Sequence, residues 1–541
     1  MADLPAETLG ESRLGGSLRD EVHYEGRKMR CFSERPATLG EMFDKLVARF
    51  PDREAIVEDR SISYRELDEL VGRAGAGLRR LDVEHGDRVA LFLANCWEFL
   101  VCVLACNRLG AIVVPLGTRQ RQAELTFQLN DCAAKVLIFE SSLADVLPAD
   151  PDTPALAHRF AVRGAVEGAS PFAALLAAEE RMGRATDLGE EDTAVILYTS
   201  GTTGQPKGAQ LTHLGIIHSA LSFARRFGLT ETDRGLVAVP LSHVTGLVGV
   251  AFSTIIVGGS VVLMQQPYKT ADFLALASRE KITYSILVPT IYTLCAMSPE
   301  LLAHDLGCWR IGCFGGAPMP IATIEMLAEK LPHLQLLNAY GATETTSPAT
   351  IMPRTQWRDH FESVGMTVPC GEITIVDDNG IEVPRGTPGE LWIAGPMVVP
   401  GYWQRPEANR SEFVDGFWRS GDIGSMDASG FVRVFDRKKD MINRGGFKIF
   451  SAEVENVIAS LEGVLECAVI GRDDPVLGQR VHAIVVVPDN SALGADRIRE
   501  FCADRLADYK VPEAVTLHKA PLPRNANGKV LKAVLRQTIH S

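Results

Sequence analysis

No C-x-x-C pair occurs among the eleven cysteines, no apolar run is long and unbroken, and acidic residues outnumber basic ones to give a net charge of -13. Each of these absences excludes a class of protein. Scattered cysteines without paired spacing argue against a disulfide framework and against structural zinc. Together with the lack of a secretory n-region and h-region, they read as reduced thiols in a cytoplasmic protein. A negative balance gives no general attraction for nucleic acid, whose binding rests on clustered Lys and Arg. The most apolar stretch, Phe99 to Leu116, is broken by Asn107, Arg108 and Gly110, so it falls short of the roughly 20 apolar residues of a membrane span. The chain ends Ile539-His540-Ser541, which is not the peroxisomal S-K-L address. No internal repeat is visible.

What is present fits a soluble globular protein, with 46% hydrophobic and 23% charged residues over 541 positions. Such a length suggests about three to four folding units. Residues 1–37 are polar and poor in periodicity and are expected to form a loosely ordered arm. From Thr38 a helical pattern (Met42, Leu46, Phe50) leads to Ala55-Ile56-Val57, and Ser63 opens a second helix. Gly72, Gly75 and Gly77 lie inside that helix and not after a strand, so they are no dinucleotide fingerprint.

Strands then alternate with helices: Arg88 to Leu93, a helix to Leu109, Ala111 to Val114, a helix near Ala123, and Ala134 to Phe139. The rhythm recurs at Gly235 to Val239, Val261 to Leu263, Tyr284 to Val288 and Arg310 to Phe314. Alternation of this kind predicts an α/β fold with largely parallel sheets covered on both faces, here as two layered halves. Near Gly371 the pattern changes to short strands, Glu372 to Asp377 and Gly389 to Ala394, predicting a β-rich subdomain. After the charged run Asp436 to Asp440, a helical stripe of Val454, Val457, Ile458 and Leu461, with Ser451 as its expected N-cap, marks a small α+β C-terminal domain.

The most chemical segment is Tyr198-Thr199-Ser200-Gly201-Thr202-Thr203-Gly204-Gln205-Pro206-Lys207-Gly208, which follows the apolar strand Ala194 to Leu197. Glycines let backbone N–H groups turn toward an anion, hydroxyls add donors, and Lys207 adds charge. Its spacing departs from the common ATPase loop G-x-x-x-x-G-K-[ST]. Four further segments stand out: Gly315-Gly316-Ala317-Pro318, Tyr340-Gly341-Ala342-Thr343-Glu344-Thr345, Ser420-Gly421-Asp422 with Asp436-Arg437, and Pro523-Arg524-Asn525-Ala526-Asn527-Gly528-Lys529.

In this order, over roughly residues 38 to 535, these segments resemble the adenylate-forming superfamily of acyl-CoA synthetases, peptide-synthetase adenylation domains and beetle luciferases, with the acyl-CoA synthetases nearest. The resemblance implies a large N-terminal domain (38–436) binding ATP and acid, a hinge at 437–439, and a small mobile C-terminal domain (440–541). It implies activation of a carboxylic acid as acyl-AMP with release of pyrophosphate, then transfer to a thiol, with ATP, Mg2+ and CoA as cofactor and co-substrates. By the same resemblance, Thr199, Ser200, Gly201, Thr202, Thr203, Gly204 and Lys207 hold the phosphates. Glu344 holds Mg2+, with Thr343 near the α-phosphate. Gly315, Gly316, Ala317, Tyr340 and Gly341 wall the adenine, while Asp422 and Arg437 hold the ribose. Lys529 bridges the acid and the α-phosphate, and Lys439 sits at the pivot.

Gly445, Gly446 and Lys448 are expected along the CoA channel, although Gly445-Gly446 also reads as a plain β-turn pair. His243, Val244, Gly246, Val248, Tyr292 and Ala342 are candidates for the acyl pocket, His243 being equally readable as an ordinary packed histidine. The stretch Pro240 to Gly246 has no acid to pair with a substrate ammonium, and no cationic residue is seen placed to bind a second carboxylate, which favours a fatty, alicyclic or aromatic acid. No carrier-protein segment follows Ser541, so free CoA is the expected acceptor. A luciferase-like oxygenase, or a ligase loading a separate carrier protein, is the rival reading. Pairing into a homodimer stays open.

Overall fold

The computed structural model describes residues 12–178, 181–183, 185, 187–199, 205–265, 267–524 and 530–540, with side chains to residue 538. The expected Ser200, Gly201, Thr202, Thr203, Gly204 and Lys529 lie outside the described residues. The chain forms two compact units, one of Met1–Ile373 with Ile393–Trp418, the other of Thr374–Trp392 with Arg419–Ser541.

The first unit holds the two layered sheets. One is seven-stranded, in the order Lys207–Thr212, Thr193–Thr199, Ile112–Pro115, Arg88–Phe92, Val136–Glu140, His158–Val162, Ser170–Pro171. All its pairings are parallel except that of the first two strands, which form an antiparallel hairpin. The second sheet runs in this unit through Ser347–Ile351, Gln335–Ala342, Ile311–Gly315, Tyr284–Leu287, Arg234–Val237, Ser260–Leu263 and Glu54–Val57. The last of these is a surprise of topology. Glu54–Val57 precedes every strand of the first sheet in the chain, yet pairs in parallel with Ser260–Leu263 of the second. The halves are therefore not simply sequential.

Helix starts follow local chemistry. Thr38 and Ser63 cap the helices Leu39–Arg49 and Tyr64–Arg79 by accepting the amides of Glu41 and Glu66, satisfying donors that a first turn leaves free. Within the second helix Gly77 lies so close to the 3-10 segment Phe172–Ala177 that a Cβ would stand 2.2 Å from the Leu175 carbonyl oxygen. Those glycines serve close packing. The broken apolar stretch is the buried helix Trp97–Leu109 followed by the strand Ile112–Pro115, and no helix among the described residues is long and apolar enough to cross a membrane.

The arm expected over residues 1–37 is, in its described part, an ordered hairpin of Leu18–His23 and Arg27–Phe32. Met29, Cys31 and Phe32 are buried, the Tyr24 hydroxyl lies 2.6 Å from Thr212 Oγ1, and Arg27 donates to the carbonyls of Val399 and Pro400 at 3.2 and 2.8 Å. Burial of alternate side chains outweighs the charge that suggested disorder.

The second unit joins the β-rich stretch (Glu372–Val376, Gly389–Ala394, Phe417–Met426, Phe431–Arg437) to the C-terminal fold, so the expected 437–439 hinge lies inside it. Its five-stranded sheet pairs Glu466–Asp474 with Gly478–Val486 over their full length. Val454, Ile458 and Leu461 are buried in its core with Val457 packed alongside, matching the expected stripe. Ser451 is not the N-cap. The helix Ser451–Ala459 begins at that residue, with Phe450 at the cap position. The Ser451 amide and hydroxyl donate instead to Asp436 Oδ2 at 2.5 and 2.6 Å, because an ionised carboxylate is a stronger acceptor than a hydroxyl.

Candidate active site

In the first unit the chemistry gathers where parallel strands end, the usual place for a ligand crevice in an open α/β sheet. Ile311–Gly315 and Gln335–Ala342 are neighbours in register, Gly315 opposite Ala339. A Cβ on Gly315 would stand 2.4 Å from the Ala339 carbonyl oxygen, and one on Gly341 would stand 1.9 Å from that of Ser347. Both positions therefore exclude any side chain, and Gly316 takes φ +79, a conformation glycine adopts freely. The expected adenine-wall residues Gly315, Gly316, Ala317, Tyr340 and Gly341 thus meet at two adjacent strand ends.

Directly after Ala342 the chain makes the short 3-10 turn Thr343–Thr345. Thr345 Oγ1 donates to the Ser347 carbonyl at 2.6 Å and accepts the Ala342 amide at 2.9 Å, fixing the turn. Glu344 is 9% exposed, and its Oε1 lies 2.9 Å from the Tyr402 hydroxyl.

The expected phosphate loop spans the hairpin Thr193–Thr199 to Lys207–Thr212, Thr199 facing Lys207. Lys207 is 9% exposed. Its Nζ donates to Glu412 Oε1 at 2.5 Å and lies 4.3 Å from the centre of the Tyr402 ring. The Tyr402 hydroxyl is also 2.8 Å from Glu412 Oε2. Lys207, Glu412, Tyr402 and Glu344 thus form one connected set, two of whose members, Tyr402 and Glu412, the sequence reading missed. Burial and the two neighbouring carboxylates push the Tyr402 hydroxyl far above its ordinary range, so it remains a proton donor.

Backbone contacts deliver Tyr402 to that place. The Gln210 amide donates to the Gly401 carbonyl and the Trp403 amide to that of Gly208, laying residues 401–403 along the edge strand. Asn409, in the helix Pro406–Glu412, accepts the Tyr402 amide and returns a bond to its carbonyl. Glu412 is the last residue of that helix.

The acyl candidates divide. His243, Val244 and Ala342 are partly exposed, and burial together with the charge of Arg119 pushes the His243 imidazole below its ordinary value. Tyr292 and Val248 are fully buried. The Tyr292 hydroxyl donates to the Cys313 carbonyl at 2.9 Å and its ring stacks on Trp309, which are core contacts. A Cβ on Gly246 would stand 2.3 Å from the Pro240 carbonyl oxygen, so this glycine serves backbone packing. Asn95, another residue not foreseen, accepts the Leu241 amide and donates to the carbonyls of Val237, Val239 and Met264. It pins the stretch leading to His243.

In the second unit Asp422 and Arg437 face each other across an antiparallel pair. Arg437 Nε stands 2.7 Å from Asp422 Oδ1, and the carboxylate is buried. Lys439 is exposed. Its neighbours are tied, Lys438 to Asp378 and Glu390, and Asp440 to Arg536. Gly445 and Gly446 form the two-residue turn between Ile442–Arg444 and Phe447–Ile449, with φ +58 and +90, as a twisted hairpin requires. A Cβ on Gly446 would meet nothing within 4 Å, so conformation and not crowding demands glycine there. Lys448 lies 3.5 Å from Asp378.

Residues 43–403 match the AMP-binding enzyme family and residues 453–529 match the AMP-binding enzyme C-terminal domain. The chain belongs to the AMP-binding enzyme family. It is 33% identical over 505 residues to the long-chain-fatty-acid–CoA ligase FadD13 of Mycobacterium tuberculosis, covering 92% of this chain and 98% of the relative. It is 35% identical over 479 residues to the feruloyl-CoA synthase of an Amycolatopsis species, covering 88% and 94%. Among solved structures, the o-succinylbenzoate CoA synthetase of Bacillus subtilis in complex with its acyl-adenylate OSB-AMP superposes with a TM-score of 0.82 at 31% identity, covering 93% and 98%. That AMP-binding enzyme has also been solved with ATP and magnesium.

Proposed function

We propose that this AMP-binding enzyme is an ATP-dependent carboxylate:CoA ligase acting on a fatty, alicyclic or aromatic acid. In the first half-reaction a carboxylate oxygen bonds to the α-phosphorus of ATP and the bond to pyrophosphate breaks, leaving acyl-AMP. In the second the CoA sulfur, having lost its proton, bonds to the acyl carbon and AMP departs. The first step brings two anions together, so it needs fixed cations and donors. The buried Lys207 at the end of the Thr199–Lys207 loop is the observation that carries this reading.

The donors beside the turn, the Glu344 carboxylate and the Thr343 hydroxyl, are hard oxygens of the kind that suit Mg2+. Glu344 would hold the ion, which supplies charge neutralisation of the phosphates when bound. Lys207 steadies the β- and γ-phosphates and the departing pyrophosphate. Gly315, Gly316 and Gly341 admit the flat adenine against bare backbone. Asp422 accepts from the ribose hydroxyls with Arg437 beside it, Lys529 reaches the acid and α-phosphate, Lys439 is the pivot, and Gly445, Gly446 and Lys448 border the CoA path. Eleven free thiols fit a cytosolic setting.

A pyrophosphate-release assay with fatty, aromatic, alicyclic and dicarboxylic acids, with and without CoA, tests the reading. Acid-dependent pyrophosphate and AMP, with thioester formed only when CoA is added, is the expected result. Light or oxygen uptake with a luciferin would favour the oxygenase instead, and no pyrophosphate with any acid would refute adenylation.

A further inference from the structure

We propose that Glu412 is a positioning residue for the adenylation half-reaction: it holds the Lys207 ammonium at the phosphate loop and, through Tyr402, orients Glu344. The inference rests on the ligase reading for what Lys207 and Glu344 do, but Glu412 itself comes from geometry. Lys207 Nζ is 2.5 Å from one oxygen of Glu412, and the other oxygen is 2.8 Å from the Tyr402 hydroxyl, which is also 2.9 Å from Glu344. That hydroxyl has one proton and can donate to one carboxylate at a time. Glu412 and Glu344 therefore share a donor, and what binds one is felt by the other.

Lysine is a flexible four-carbon stem carrying three N–H donors. Pinning one donor on Glu412, with the ammonium held over the Tyr402 ring, leaves the other two for an incoming polyphosphate and spares the binding step the ordering of the stem. The surroundings are built to keep this arrangement. Tyr402 is 1% exposed, wedged edge-on against Phe413, its backbone is clamped by Asn409, and Glu412 closes the short helix that carries Asn409. When the phosphates draw on the Lys207 ammonium, Glu412 is left freer to accept the Tyr402 hydrogen bond. Glu344 would then share the Tyr402 hydroxyl less and be the better placed to hold a cation that accompanies the nucleotide. Charge stays balanced throughout, since no proton leaves the set.

Glu412→Gln keeps the size and an acceptor for Tyr402 while removing the charge that holds Lys207. Its kcat/KM for MgATP in acyl-adenylate formation should fall by about tenfold, chiefly through a higher KM for ATP and a raised Mg2+ requirement. Conversion of supplied acyl-adenylate to thioester should stay at the wild-type rate. Glu412→Asp should recover part of the loss, and Lys207→Met combined with Glu412→Gln should be no worse than Lys207→Met alone, the non-additivity expected of one unit. The proposal is overturned by a wild-type KM for ATP in Glu412→Gln, by equal losses in both half-reactions, or by additive losses in the double variant. Wild-type enzyme run in parallel separates the two readings. If it releases no pyrophosphate with any acid, the ligase reading has failed, whereas normal wild-type release with an indifferent Glu412→Gln sinks only the role of Glu412.

Discussion

His213 and His218 show how far burial can move a single residue from its behaviour in water. Both sit on the helix His213–Phe227 and are buried. His218 donates from Nδ1 to the Leu214 carbonyl and accepts the Phe32 amide at Nε2, while His213 Nδ1 accepts the Leu39 amide. Each ring must be neutral to accept. Desolvation, the main cause, lowers His213 to about 4 and His218 to about 3. Above the ordinary histidine value of about 6.5 both are neutral folded or unfolded and stability does not depend on them. As pH falls from there toward about 4 the unfolded chain takes up protons that the native one refuses, so stability drops by about 1.4 kcal/mol per pH unit for each ring. Acid unfolding followed by circular dichroism should show this slope, and His218→Gln should reduce it by one ring's share. An unchanged slope would contradict the assignment.

The N-terminal hairpin carries the argument at the scale of elements. Read for charge, Leu18 to Phe32 is a polar arm. Read for period two, Met29 and Cys31 alternate with Lys28 and Arg30, and that alternation was the signal that marked a strand. The hairpin covers Leu214 and His218 and braces residues 399–400 through Arg27. Deleting residues 12–33 should therefore destabilise the first unit by on the order of 5 kcal/mol, from about 1.5–3 kcal/mol for each of the buried Met29, Cys31 and Phe32. A differential scanning calorimetry trace in which the first unit melts at the wild-type temperature would contradict this. The element types elsewhere were legible because the periodicity of a strand or helix is local. Element ends, such as the start of Ser451–Ala459, were not, because Asp436 from another element took the serine's hydrogen bonds.

At the scale of the whole molecule the proposed roles divide the two half-reactions between Lys529 and Gly446, which stand on different segments of the sequence. Lys529→Ala should cripple adenylate formation, by about 2.7 to 4 kcal/mol for one comparable donor, yet still convert supplied acyl-adenylate. Gly446→Leu should make adenylate and fail at the thiol step, since a bulky side chain in this open position would stand in the proposed CoA path. Loss of the same half-reaction in both variants, measured by pyrophosphate release and by thioester formation, would contradict a separation of roles.

By itself the sequence determined the α/β class, most of the helices and strands and, through five ordered motifs, the family, because periodicity and short motifs are local features of the chain. Only the tertiary structure decided that Glu54–Val57 pairs in parallel with a strand about two hundred residues on, that Tyr292 and Val248 are core, and that Lys207 meets a carboxylate 205 positions away. Pairing across such distances leaves no periodic trace in the chain. It follows from which surfaces close against one another when the sheets stack, and this brought Glu412 and Tyr402 to the lysine.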